Sequence, residues 1–214
     1  MSDVAENQRF RVAVLLSGSG RTLENLLASI GRDELDIEIV GVVSSRAGVR
    51  GLEIARRAEL RTLVVPRVVA RDPRLLSAEV RTFLEPTGVD LIALAGFLRR
   101  LEILPEWRER IINIHPSLLP LFGGKGLYGA RVHEAVLESG MKISGCTVHI
   151  VNEEYDAGPI ILQRCVPVAE DDDAHSLGER VFAAECAAYP DAIRLFQAGR
   201  VRVEGRRVLI DARG

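Results

Sequence analysis

The stretch Asn113-Ile114-His115-Pro116-Ser117-Leu118-Leu119-Pro120 holds the residues best suited to chemistry. In an extended chain Asn113 and His115 point one way, and Ile112 and Ile114 point the other. An amide and an imidazole then emerge side by side where a strand ends. Asn offers a donor to a developing oxyanion, and His moves protons near neutral pH. The plainer alternative is a hydrogen-bonded structural pair. Pro116 and Pro120 stiffen the following loop, and either bond is a candidate for cis. Asp156 lies in Glu153-Glu154-Tyr155-Asp156-Ala157-Gly158-Pro159. Beside the imidazole, its carboxylate would favour the charged form and orient the ring. Glu153 and Glu154 themselves read as a solvated acidic turn. Thr147 and His149 share one strand face, opposite Cys146, Val148 and Ile150. There a hydroxyl and a second imidazole could hold a water, although a half-buried structural histidine is the commoner case.

Ser17-Gly18-Ser19-Gly20-Arg21-Thr22 follows the first apolar run and opens a helical pattern. Glycines let backbone N–H groups approach a ligand closely, and a helix N-terminus attracts phosphate. The loop is not a P-loop, because no Gly-Lys-Ser/Thr follows. As a dinucleotide fingerprint it is incomplete, since Leu23 stands where the third Gly belongs. A tight turn, a phosphate site, and a dinucleotide site with Arg46 facing a 2′-phosphate all stay open. Phe122 to Gly129 is glycine-rich with one Lys, and fits a flexible lid or a plain loop equally. In Leu98-Arg99-Arg100-Leu101 the arginines could grip a carboxylated ligand, where a solvated basic pair is the usual reading.

The elements that must position these residues follow from apolar patterning. Arg11 to Leu16, Ile37 to Val43, Thr62 to Val65, Leu91 to Leu94 and Ile111 to His115 are short apolar runs, expected as buried strands. Helical patterns at Leu23 to Ile30, Gly51 to Ala58 and Arg74 to Leu84 alternate with them, which predicts right-handed crossovers and a parallel sheet. Open α/β sheets bind ligands at the C-terminal ends of their strands. Further on, Tyr128 to Glu138 is helical, and Gly145 to Val151 and Ile160 to Val168 are strands. The polar segment Asn152 to Gly158 is long enough for a reversal, so these strands should add antiparallel to the sheet. Ala174 to Ala198 is a long helix with Pro190 placed to kink or interrupt it. Asp171 to Asp173 precede it, where negative charge is favoured. Val201 to Ile210 predicts a hairpin around Glu204-Gly205.

Composition bounds the function class. The chain has 214 residues, 47% apolar and 27% charged, ordinary for a globular protein. Such a chain buries roughly 70% of its unfolded surface and needs no staples. Its 28 basic and 30 acidic residues leave a net charge of −2, which argues against a dedicated nucleic-acid binder. No apolar stretch reaches the ~20 residues of a membrane span, and no signal core opens the chain. Three scattered cysteines suggest neither disulfides nor a zinc site, so a reducing cytoplasm fits best.

Taken in order, Ser17 to Gly20, Leu94-Ala95-Gly96-Phe97, Asn113 to Pro120, Gly145-Cys146-Thr147-Val148-His149 and Asp156 to Ile161 closely resemble the phosphoribosylglycinamide formyltransferases, of the folate-dependent formyltransferase family. The resemblance runs from about Arg11 to Gln197. It implies a single α/β domain over 1–214 with a Rossmann-like formyltransferase fold. That fold is a mostly parallel twisted sheet flanked by helices, with antiparallel strands in the C-terminal third. Residues 1–10 would be an N-terminal extension, 11–100 a ribonucleotide-binding half, 101–200 a catalytic and folate-binding half, and 201–210 a C-terminal hairpin.

The resemblance further implies two small-molecule substrates, glycinamide ribonucleotide and 10-formyltetrahydrofolate, with no metal and no nucleic-acid or membrane partner; a homodimer is left open. It implies Asn113, His115 and Asp156 as the catalytic trio. Gly20, Arg21 and Thr22 would hold the ribonucleotide phosphate, and Glu185 would contact the same substrate. The family often has Ser-Asn at positions 21 and 22, so the carry-over there rests on backbone N–H groups. Arg74, Leu98, Arg99, Arg100, Leu101, Asn113, Asn152, Glu153, Glu154, Tyr155 and Asp156 match the folate site. Thr147, His149 and His133 match supporting positions near the substrates. The implied chemistry is amine attack on the formyl carbon. Asn113 and protonated His115 would stabilise the oxyanion, and His115, through a water held by Asp156, would move the proton. Asp156 would raise the imidazole pKa.

Related enzymes make weaker matches. Methionyl-tRNA formyltransferase normally has a further C-terminal domain, whereas about fifteen residues follow Gly199 here. Formyltetrahydrofolate hydrolase normally has an N-terminal regulatory domain, whereas ten residues precede the first strand. An NADP-dependent oxidoreductase would leave Asn113, His115 and Asp156 unexplained.

Overall fold

The computed structural model describes residues 9–212. The described strands are β1 (Phe10–Leu16), β2 (Ile37–Ser44), β3 (Thr62–Val64), β4 (Leu91–Leu94), β5 (Ile111–His115), β6 (Ile143–Ile150), β7 (Ile160–Pro167), β8 (Val201–Glu204) and β9 (Arg207–Ile210). The helices are α1 (Arg21–Gly31), α2 (Arg50–Arg57), α3 (Pro73–Leu84), α4 (Ala130–Glu138) and α5 (Ala174–Gln197). All nine strands form one sheet in the order β3-β2-β1-β4-β5-β6-β7-β9-β8. The pairs from β3 to β5 are parallel, and β6 and β7 add antiparallel as expected. The hairpin of β8 and β9 joins the far edge through β9. Residues 1–8 of the expected N-terminal extension lie outside the described residues. Its last residue, Phe10, is already strand: it pairs with Ile37 and packs on the core.

The two faces of the sheet are filled differently, and the difference creates the site. Side chains alternate along each strand. Val12, Val14 and Leu16 of β1, Ile112 and Ile114 of β5, and Cys146 and Val148 of β6 face one continuous apolar layer, closed by Leu23 and Leu26 of α1 and Val181, Ala188 and Tyr189 of α5. On the opposite face, Ala13, Leu15, Ile92 and Leu94 pack against Leu76, Val80 and Leu84 of α3. Alternation sends Asn113, His115, Thr147 and His149 to this second face. The sheet's change of strand order lies one strand away: after β3 the chain crosses to β4, on the other side of β1. That is a topological switch point, where open α/β sheets form a ligand crevice.

Pro190 does not interrupt α5, which runs unbroken from Ala174 to Gln197. A proline inside a helix removes the N–H that would reach the carbonyl four residues back. That carbonyl belongs to Cys186, and the Asn25 side-chain amide donates to it at 2.9 Å. A side chain of α1 therefore replaces the missing donor and ties the two helices. At the start of α5, Asp173 accepts from the backbone N–H of His175 and Ser176, and Ser176 returns the bond as a capping box.

Candidate active site

Strand β5 carries Asn113 and His115 to its C-terminal end, and β6 lies against it antiparallel. The register sets Asn113 opposite His149 and His115 opposite Thr147. Four polar side chains thus meet on one face, which two loops cover. One loop is 116–129, and the other is the 152–158 turn between β6 and β7. Asp156 occupies that turn with φ +53, a left-handed conformation that costs a non-glycine residue energy and recurs at functional sites. Gly158 behind it admits no side chain, because a Cβ there would lie 1.7 Å from the Ile150 carbonyl oxygen. The close approach of this turn to β6 aims Asp156 inward.

The carboxylate of Asp156 stands between two imidazoles. Oδ2 lies 3.6 Å from His115 Nδ1, and Oδ1 lies 3.6 Å from His149 Nε2. The Gly124 N–H donates to Oδ2 at 2.8 Å. His115 Nε2 is 2.8 Å from the Phe122 carbonyl oxygen. A carbonyl only accepts, so Nε2 carries the hydrogen. His149 Nδ1 likewise donates to the Ile150 carbonyl at 2.9 Å. Its Nε2 then accepts from the Asn113 amide at 3.1 Å. Asn113 keeps a second amide hydrogen beyond that bond. Thr147 is pinned by the Leu119 N–H, the Ser117 carbonyl and Gln163, and its hydroxyl holds the loop that follows β5. The Leu119–Pro120 bond is cis. Thr147 and His149 are fully buried, not half-buried, because the loops close over them.

Burial and the Asp156 charge act in opposite directions on His115. Burial lowers the pKa of His115, and it outweighs the opposing pull of Asp156 and of the hydrogen bond to Phe122. The pKa of His115 therefore lies below its ordinary value even with Asp156 beside it. Asp156 does act in the expected direction, but desolvation of a ring only 4% exposed is the larger effect. For Asp156 itself burial works upward, yet its surroundings, the Gly124 N–H among them, hold the carboxyl below its ordinary value.

The glycine loop is built from backbone. Gly20 caps α1 in a left-handed conformation with φ +73, and a Cβ there would lie 2.4 Å from Gly51 Cα of α2. The Gly51 N–H donates to the Gly18 carbonyl at 3.1 Å, and Arg50 donates to the Ser19 carbonyl at 3.2 Å. With those carbonyls turned to α2, the loop offers the unpaired N–H groups that begin any helix. Arg21 points its side chain to α5: both guanidinium nitrogens meet Glu179 at 2.6 Å, and the plane lies 3.7 Å over Phe182. Glu185, half-buried on α5, feels the Arg21 charge, but burial pushes its carboxyl up to about 7. Thr22 is half-buried in the first turn of α1.

Of the remaining candidates, Arg74, Arg100, Leu101 and Glu153 line an open groove of about 660 Å³, with Arg71 and Glu102 among its other walls. Arg100 donates to the Glu153 carbonyl at 2.6 Å, which joins the 98–101 segment to the 152–156 turn. Arg74 is largely exposed, 3.9 Å from Glu102. Leu98 and Tyr155 are exposed, Arg99 and Asn152 half-buried, and Glu153 and Glu154 solvated. Leu101 puts its side chain into the second core cluster. His133 is buried on α4 against Gly178 of α5, and its Nδ1 has no hydrogen-bond partner among the described residues. Burial first, and the His115 charge second, lower its pKa. Sequence reasoning missed the Phe122 carbonyl and the Gly124 N–H as partners of His115 and Asp156. No side-chain signal marks them, because both are main-chain groups. Among the described residues no group of His, Cys, Asp or Glu is arranged to hold a metal ion, and no helix is long and apolar enough to cross a membrane.

This amide–imidazole–carboxylate cluster lies within a chain that belongs to the formyl transferase family, whose model matches residues 10–193. It is 44% identical over 200 residues to the trifunctional purine biosynthetic protein adenosine-3 of Gallus gallus, covering 92% of this chain and 19% of that protein. The chain thus spans about a fifth of that relative's length. It is 38% identical over 201 residues to the chloroplastic phosphoribosylglycinamide formyltransferase of Arabidopsis thaliana, covering 92% of this chain and 68% of that protein. Among solved structures it is similar to glycinamide ribonucleotide transformylase 1 from Symbiobacterium toebii, with TM-score 0.87 and 41% identity over 96% of this chain and 95% of that one.

Proposed function

We propose that the chain transfers the formyl group of 10-formyltetrahydrofolate to the amine of glycinamide ribonucleotide, a step of purine synthesis. The observation that carries this reading is the convergence of Asn113, His115 and Asp156 at one strand end, in a chain similar over nearly its whole length to enzymes named for that activity. In this reading Gly20, Arg21 and Thr22 open the phosphate subsite, through their backbone, and Glu185 lies along the same substrate. Leu98 to Leu101, Arg74 and Asn152 to Asp156 form the folate side. Beside them lies a groove lined by Arg71, Arg74 and Arg100 together with Asp72, Glu102 and Glu153, and its arginines offer donors to an anionic group of a ligand. The first half of the chain serves the ribonucleotide, and the second half serves folate and catalysis. The cytoplasm is the proposed compartment, in keeping with three free cysteines.

The amine nitrogen bonds to the formyl carbon, the carbon–nitrogen bond to folate breaks, and one proton passes from the amine to the folate nitrogen. The Phe122 carbonyl marks where an acceptor oxygen sits against His115 Nε2. A formyl oxygen in that place receives the same N–H, and the free hydrogen of Asn113 is the second donor. One such donor is typically worth ~10²–10³ in rate. As charge develops on that oxygen, the imidazole gains affinity for a proton, with Asp156 at its Nδ1. His115 can then relay the amine proton, worth roughly 10²–10⁴.

The test is a formyl-transfer assay on the purified chain with both substrates and no added metal. Turnover that needs the ribonucleotide and is lost in His115→Asn is the expected result. Turnover without the ribonucleotide would instead show a hydrolase, and none at all would overturn the reading.

A further inference from the structure

Ser17 stands one residue beyond β1, where β2, β1 and β4 all end. Its side chain is 2% exposed. Its N–H donates to the Gly96 carbonyl at 3.1 Å, which extends the β1–β4 ladder past the strands. Its hydroxyl oxygen accepts the Leu98 N–H at 2.9 Å. The same hydroxyl meets the Ser45 hydroxyl at 2.6 Å, and Ser45, at the end of β2, is also buried. One small side chain therefore links the root of the glycine loop at Gly18 to the segment that begins at Leu98. A tight backbone turn separates the two, since Gly96 is left-handed with φ +72.

We propose that Ser17 is a positioning residue for the transfer reaction: its hydroxyl fixes the distance between the phosphate loop and the folate segment, and so aligns the two substrates. This rests on the proposed function, because it takes residues 20–22 and 98–101 as opposite sides of one bimolecular site. Proximity is a large part of such catalysis, and a shift of about an ångström can cost ~10²-fold in rate. A hydroxyl suits the place. Alanine leaves the Leu98 N–H without its acceptor under the sheet ends, and that backbone must then move to find water.

The experiment compares Ser17→Ala, Ser17→Cys and Ser45→Ala in the formyl-transfer assay, with melting temperature measured alongside. Ser45→Ala removes a bond of the same buried network but keeps the acceptor for Leu98. The expected result is a drop in kcat/KM of about tenfold or more in Ser17→Ala, seen against both substrates, with a smaller drop in Ser17→Cys. Ser45→Ala should lower the melting temperature comparably and leave both KM values within about twofold. Should Ser17→Ala fail to fold, Ser17→Cys, close in volume and a weak acceptor, decides the matter by the same readout. Wild-type KM and kcat in a folded Ser17 variant would overturn the proposal alone. Equal kinetic losses in the Ser17 and Ser45 variants would reduce Ser17 to a structural role and overturn it as well. A wild-type chain without ribonucleotide-dependent turnover would overturn the functional reading, and this proposal with it.

Discussion

The glycine loop after β1 and the polar cluster at the end of β5 sit at strand ends of one sheet, yet they are built on opposite principles. The first is made of backbone. Gly20 and Gly51 pack Cβ-free against each other, and the carbonyls of Gly18 and Ser19 are anchored to α2. Side chains there point away: Arg21 is spent on Glu179 and Phe182. The second is made of side chains. Asn113, His115, His149 and Asp156 hold one another under loops, and burial lowers the pKa of His115. A backbone site should tolerate changes of side chain and fail on an added Cβ. A side-chain site should fail at any one member.

The largest expected effect tests the second half of that contrast. His115→Asn should lower kcat by about 10²–10³ or more while the melting temperature changes little, because β5 holds the site and not the reverse. A mutant with wild-type turnover would remove His115 from the mechanism. Next comes Gly20→Ala, which forces a methyl group to 2.4 Å from Gly51 Cα at a positive φ. It should destabilise the fold by about 1–3 kcal/mol and raise KM for the ribonucleotide more than for folate. Denaturant melts and two-substrate kinetics would show both.

Asp156→Asn sharpens the contrast through pH. The His115 pKa already lies below its ordinary value because burial wins, and Asp156 is the largest influence holding it up. Removing that charge lets the pKa fall further. The acid limb of the kcat/KM profile, read as protonation of His115, should therefore move to lower pH. An unmoved limb would make Asp156 structural. The smallest effect is expected for Arg21→Ser, which leaves the loop backbone intact. An exposed ion pair is worth under about 1 kcal/mol. Both stability and KM for the ribonucleotide should stay close to wild type, measured side by side with Gly20→Ala. A large rise in KM would show that the guanidinium itself meets the phosphate.

The elements were legible because their signals are local. Apolar runs of strand length alternate with amphipathic stretches, and a single polar turn between Ile150 and Ile160 announces a reversal. The alternation rule also placed Asn113 with His115, and Thr147 with His149, before any fold was known. Pro190 leaves α5 unbroken through a distant partner that no local pattern shows: Asn25 lies 161 residues from the carbonyl it satisfies.

What the sequence by itself determined, then, was which side chains share a face and which strand end bears them, since both follow from a period of two and from chain order. Only the tertiary structure decided that Asp156 stands between two imidazoles, that Phe122 and Gly124 cap the site with main-chain groups, and that burial lowers the pKa of His115. Those outcomes depend on loop closure and desolvation. Both are properties of the packed chain that no local pattern of residues records.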